Sequence, residues 1–119
     1  YLKNFKIIKS WIVRQFKNEY NPLHYHSGHI SGVGYLKVPN ILGSTIQKDK
    51  KKNMNGKLEL VECTPKLLCS GNYIATPEVG DMYLFPNYLL HTVYPFTDTE
   101  EERRSVSFNA IIDEPTASL

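Results

Sequence analysis

"NPLHYHSGHISGVGYLKV", residues 21–38, holds three of the chain's four histidines within six positions and then passes through a small-residue turn into a glycine-spaced apolar run. Read with a period of two, "NPLHYH" (21–26) is a strand, "SGH" a turn and "ISGVGYLKV" (30–38) the returning strand. The same grammar of short apolar run and Gly, Pro or Asn break recurs along the chain. It gives "SWIVRQF" (10–16), "KLELVEC" (57–63), "NYIA" (72–75), "DMYLF" (81–85), "HTVYP" (91–95) and "RRSVSFNAII" (103–112). Eight short strands and no sustained helical period predict a mainly β fold, either a sandwich or a jelly roll.

A chain of 119 residues has room for one core, so residues 1–119 read as a single domain. With 41% hydrophobic and 22% charged residues, the composition is that of a globular protein and excludes a disordered one. The net charge of +2 is too small to mark a nucleic-acid binder. "KDKKK" (48–52) carries much of the excess and reads as a solvated loop, with an anionic partner, a nucleic acid included, as the rival.

No apolar run approaches the ~18 residues of a membrane span and no signal-peptide pattern opens the chain, so no membrane partner is expected. Because the chain starts at Tyr1 rather than Met, it reads as a possible excerpt lacking N-terminal elements. Cys63 and Cys69 lie in no C-x-x-C spacing; they read as free thiols of a cytoplasmic protein, with a small-loop disulfide as the rival. Two connections, 39–56 and 64–70, have no period, and long connections of this kind are mobile or functional.

If "PLHYH" is extended, His24 and His26 leave the same face of the strand, a spacing that offers two imidazoles to one ion. A bare H-x-H is a weak signal, more often a solvent-facing pair or two hydrogen-bonded core residues than a metal site. A catalytic metal needs a third protein ligand. His91, opening the strand after "FPNYLL", is the remaining histidine, while His29 follows a turn that breaks the alternation and leaves its direction open: ligand, supporting group or surface residue. In the last strand Arg103, Ser105, Ser107 and Asn109 alternate with Val106, Phe108 and Ala110. That polar face suits water and the inside of a barrel alike.

Taken in order, "HYH…SGVGYL", "GDMYLFPNYLLHTVYP" and "RRSVSFN" resemble the 2-oxoglutarate and Fe(II)-dependent oxygenases, in particular a small bacterial and phage group related to the prolyl hydroxylases; the resemblance runs from about Trp11 to Ile112. It implies a double-stranded β-helix, a cupin-like jelly roll whose open end holds Fe(II), with 39–56 and 64–70 as lid-like loops. It implies a dioxygenase that consumes O2 and 2-oxoglutarate, releases succinate and CO2, and hydroxylates an unidentified primary substrate. A protein or peptide side chain is the favoured class. It places the enzyme in the cytoplasm of a bacterium or a phage-infected host.

By the family pattern His24 and His91 match the two histidine ligands, and His26 falls where a carboxylate usually stands. The resemblance therefore implies a three-histidine catalytic metal site of His24, His26 and His91, the alternatives for the third position being water or a halide at an unliganded place, His29, or the remote Asp81. Arg103 and Ser105 match the R-x-S that holds the far carboxylate of 2-oxoglutarate, a task suited to a planar guanidinium fork. Tyr35 matches a tyrosine that assists, its rival reading being an aromatic core residue. Two other readings belong to different classes: a non-catalytic cupin-like module that binds a metal or ligand, and a structural phage β-sandwich. Nothing in the sequence sets the oligomeric state.

Overall fold

Alternation does build strands here. In the computed structural model, which describes residues 2–45, 47, 49 and 51–113, each of the eight runs forms one. They are β1 (Phe5–Gln15), β2 (Asn21–His24), β3 (Ile30–Lys37), β4 (Leu58–Val61), β5 (Asn72–Ala75), β6 (Met82–Pro86), β7 (Leu90–Val93) and β8 (Arg103–Ile112). Of the lysine run, Lys48 and Lys50 lie outside the described residues, as do Tyr1 and residues 114–119 of the 1–119 domain.

Six of the eight strands differ in their bounds from the sequence reading, and two of the differences bear on the site. β1 starts at Phe5 instead of residue 10, because "FKIIKS" satisfies its backbone by antiparallel pairing with β8 although its side chains are exposed on both faces. A strand held by an edge ladder alone leaves no trace in hydrophobic alternation. β2 stops at His24, so His26 lies just beyond the strand.

The strands pair antiparallel into two four-stranded sheets of order β1-β8-β3-β6 and β2-β7-β4-β5, a jelly-roll sandwich. Between the sheets, Leu58, Leu60, Ala75 and Phe85 are buried, with Val33, Tyr83, Leu89 and Val93 packed against them. This core fills the half of the sandwich bounded by β3, β6, β4 and β5. A side chain such as Phe85 contributes about 1.5–3 kcal/mol by its burial. The other half, under the edge strands β1 and β2, is not filled, and a cavity of about 460 Å³ occupies it.

Gly32 fixes the other face of the first sheet: a Cβ there would sit 2.3 Å from the Phe108 ring. Phe108 therefore lies flat over β3 on the outside, and Ser31, Val33 and Tyr35 are turned inward opposite Asn109, Ser107 and Ser105 of β8. The polar face of the last strand is thus the inner one. Arg103, Ser105 and Asn109 are buried, and Arg103, Ser105 and Ser107 line the cavity.

Candidate metal and anion site

At one end of the cavity three imidazoles converge. His24 and His91 are paired neighbours on β2 and β7, and His26 joins them from the turn beyond β2. Their ligand atoms lie within 4.8 Å of one another. Backbone bonds orient each ring. His24 Nδ1 bonds the Pro22 carbonyl at 2.6 Å and His91 Nδ1 the Leu89 carbonyl at 2.9 Å, so each donates from Nδ1 and keeps Nε2 as an acceptor, which at His24 takes only a long 3.5 Å contact from Asn21 Nδ2.

His26 is held by its main chain: its N–H donates to the Asn87 carbonyl, and Asn87 Nδ2 donates back to the His26 carbonyl. Gly28 makes the turn possible, with a φ of 92° and no room for a Cβ, which would meet the Ala110 oxygen at 2.9 Å. The His26 ring is stacked between Trp11 (5.6 Å) and His91 (4.8 Å), and Phe85 meets His91 edge-on.

The donor set fits a cation. His26 Nε2 and His91 Nε2 are 2.9 Å apart, the separation of two imidazoles that share an ion about 2.1 Å from each at roughly a right angle. Burial, before the neighbouring histidines, depresses both pKa values, that of His91 to about 4. Both rings are therefore neutral at pH 7, the form in which imidazole ligates. No carboxylate belongs to the group among the described residues.

The other candidates for the third position are placed elsewhere. His29 Nδ1 accepts the Ile112 N–H at 3.0 Å, a bond that pins the end of β8, and the His29 main-chain N–H donates to the Ala110 carbonyl. Asp81 stands at the far end, where its carbonyl accepts from the Tyr35 N–H.

The opposite end of the cavity is set by Arg103. The guanidinium is 3% exposed, donates from Nη1 to the Gly56 carbonyl at 3.1 Å, and lies 5.6 Å from the Tyr35 ring centroid. Its Nε has no partner, and among the described residues no carboxylate pairs with it. Arg104, on the other face, instead bonds Glu102, which also takes Arg14 at 2.6 Å. Burial lowers the Arg103 pKa from its ordinary value, the mark of a charge that lacks its counter-ion.

Tyr35 and Ser105, each 2% exposed, complete this end, and burial pushes the Tyr35 hydroxyl up to about 12, so it stays a donor. Arg103 and Ser107, which faces Trp11 below the histidines, are four residues apart on β8, about 13 Å along the strand. One elongated ligand can therefore meet both ends.

The family comparison agrees with this arrangement: residues 9–109 match the family model described as "Putative 2OG-Fe(II) oxygenase". The chain belongs to this family. Among curated proteins, none matches the chain.

Three features of the site escaped the sequence reading. Trp11 enters because "SWIVRQF" turns Trp11, Val13 and Gln15 inward, an alternation legible in the sequence whose partner sheet was not. Ser31 faces Asn109, already placed on the polar face of the last strand, across β3 and β8, and both are buried with side-chain oxygens that lack partners. The long connection 39–56 supplies a backbone carbonyl, at Gly56, for which no side-chain pattern is a signal. The 64–70 connection, in turn, springs from the end of β4 beside Leu90 and the histidines. Cys69 within it and Cys63 just before it are free thiols.

Proposed function

We propose that the protein is an Fe(II)- and 2-oxoglutarate-dependent dioxygenase that hydroxylates a protein or peptide side chain. Its ligands are His24, His26 and His91; Arg103, Ser105 and Tyr35 bind the cosubstrate. The observation that carries this reading is the buried guanidinium, without a carboxylate partner among the described residues, facing three imidazoles along one cavity. Burying a charge without a partner is costly, and a carboxylate ligand relieves that cost. A dianion with a carboxylate at each end suits the two poles. When bound, Fe(II) supplies the redox chemistry that couples O2 reduction to decarboxylation of the 2-oxo acid.

The chain's own residues bind and orient. His24 and His91 present Nε2 because their Nδ1 protons are held by backbone carbonyls. Arg103 fixes the remote carboxylate through its unpartnered Nε, with the Tyr35 hydroxyl as a neutral donor beside it. Val13, Val33, Leu58 and Val93 line the path between, an apolar wall that excludes water from the middle of the ligand. Imidazole in place of a carboxylate leaves the site one unit more positive, which favours an anionic cosubstrate further.

The test is anaerobic. Fe(II)-loaded protein is expected to develop a weak visible charge-transfer band on addition of 2-oxoglutarate and to release succinate when O2 is admitted. Iron binding without succinate would instead favour the non-catalytic metal-binding module.

A further inference from the structure

β1 is a terminal strand of its sheet, paired with β8 along one side only. Among the described residues, no backbone hydrogen bond other than those to β8 involves Phe5–Gln15. The free side of this eleven-residue, proline-free strand borders the cavity, which Trp11, Val13 and Gln15 line from β1 and Asn21, His24 and His26 line from across the gap. An unpaired row of N–H and C=O groups recognises another extended backbone and little else.

We infer that this edge is the substrate-docking surface, and that the partner is an extended polypeptide segment that adds to β1 as a further strand and carries an acidic side chain beside the reacting residue. The inference rests on the proposed hydroxylase function for the reaction it serves, but not for the docking itself. Register follows from pleating. In an added strand the residue opposite Trp11 turns its side chain to the same face as Trp11, into the cavity, where Trp11 stacks on His26. Two positions away on one side, the inward side chain meets Lys9; on the other it meets Val13.

Charge selects the partner. β1 carries Lys6, Lys9 and Arg14 and no acidic residue. Arg14 is already neutralised by Glu102, whereas among the described residues no carboxylate pairs with Lys9, which lies over the Trp11 ring at 5.4 Å. Ile12, 55% exposed on the opposite face, offers apolar contact to the residue next to the reacting one. The edge therefore fits a segment with an acidic residue two positions from the reacting residue on the Lys9 side, and apolar residues facing Ile12 and Val13. Lysines on edge strands also serve to discourage pairing between copies, and the test separates the two roles by reversing the charge.

A displayed library of random linear peptides, selected on the Fe(II)-loaded chain with 2-oxoglutarate and without O2, supplies the probe. Enriched peptides are expected to slow amide exchange within residues 5–15 and to lose binding by about tenfold or more when N-methylated at one set of alternate positions but not at the other. With Lys9→Glu the preference at the facing position should turn from acidic to basic. The inference is overturned if the library yields no binder, if its binders leave the exchange of residues 5–15 unchanged, if N-methylation is tolerated everywhere, or if Lys9→Glu leaves the preference as it was. Succinate formation without peptide reports on the cosubstrate chemistry alone. Binding at β1 without succinate therefore indicts the proposed reaction, and succinate without binding at β1 indicts the docking edge.

Discussion

The two ends of the cavity solve opposite electrostatic problems. At the histidine end three imidazoles bring their ligand atoms within 4.8 Å of one another, and burial favours the neutral forms of His26 and His91. A neutral cluster can stand empty at little cost. At the Arg103 end a permanent cation sits on a residue that is 3% exposed, with no carboxylate beside it among the described residues, and no change of protonation can relieve it near neutral pH. The first end is a receptor that waits, the second a standing strain that a ligand removes. Ligands at the two poles should therefore leave different marks on the folded protein.

The largest expected effect is at the waiting end. His91→Ala should weaken Fe(II) binding by at least about 100-fold, measured by anaerobic titration, and abolish succinate formation, while changing 2-oxoglutarate-free stability far less. An unchanged iron affinity would break the comparison at its first pole.

Next comes Arg103→Met. It should raise the 2-oxoglutarate requirement by about 10- to 100-fold, the worth of charge-assisted hydrogen bonds at ~1.5–3 kcal/mol. It should also leave the ligand-free protein no less stable, because an uncompensated charge leaves the interior. Thermal unfolding with and without 2-oxoglutarate reads both. A variant that is markedly less stable without ligand would show that Arg103 is a structural residue.

Acid should distinguish the ends as well. The His91 pKa is depressed from an ordinary 6.5 to about 4 in the fold, so the unfolded chain takes up a proton first. Its contribution to stability is complete above pH 6.5 and is lost as the pH falls toward 4. Urea titrations of the metal-free protein between those limits should show declining stability, with a shallower slope in His91→Asn. Arg103, charged throughout, adds no slope.

The smallest effect belongs to a histidine at neither pole. His29→Ala should leave iron affinity unchanged and cost about 1 kcal/mol, the bond from the Ile112 N–H. A loss of iron binding would make His29 a ligand after all.

The contrast between the ends also separates what a sequence discloses from what it withholds. All eight strands are legible because Gly, Pro and Asn punctuate short apolar runs, and the H-x-H spacing with a later histidine points to a cluster. The route to that cluster is not. His26 lies past the end of β2, so strand alternation does not aim it; the Gly28 turn and the Asn87 clasp do, and both depend on contacts with distant residues.

Alternation along β8 shows that Arg103, Ser105, Ser107 and Asn109 share a face, yet it has no way to say which side the other sheet covers. Only Phe108 lying over Gly32 decides that. Likewise "FKIIKS" joins β1 by edge pairing alone, a bond to β8 that no local pattern encodes.

The central claim is that one dicarboxylate spans both poles. A crystal structure of the protein grown anaerobically with Fe(II) and 2-oxoglutarate tests it most directly. The account predicts one carboxylate accepting from Arg103 Nε and the other end of the molecule at an ion held by His24, His26 and His91. A cosubstrate bound elsewhere, or an Arg103 that it does not touch, would contradict it.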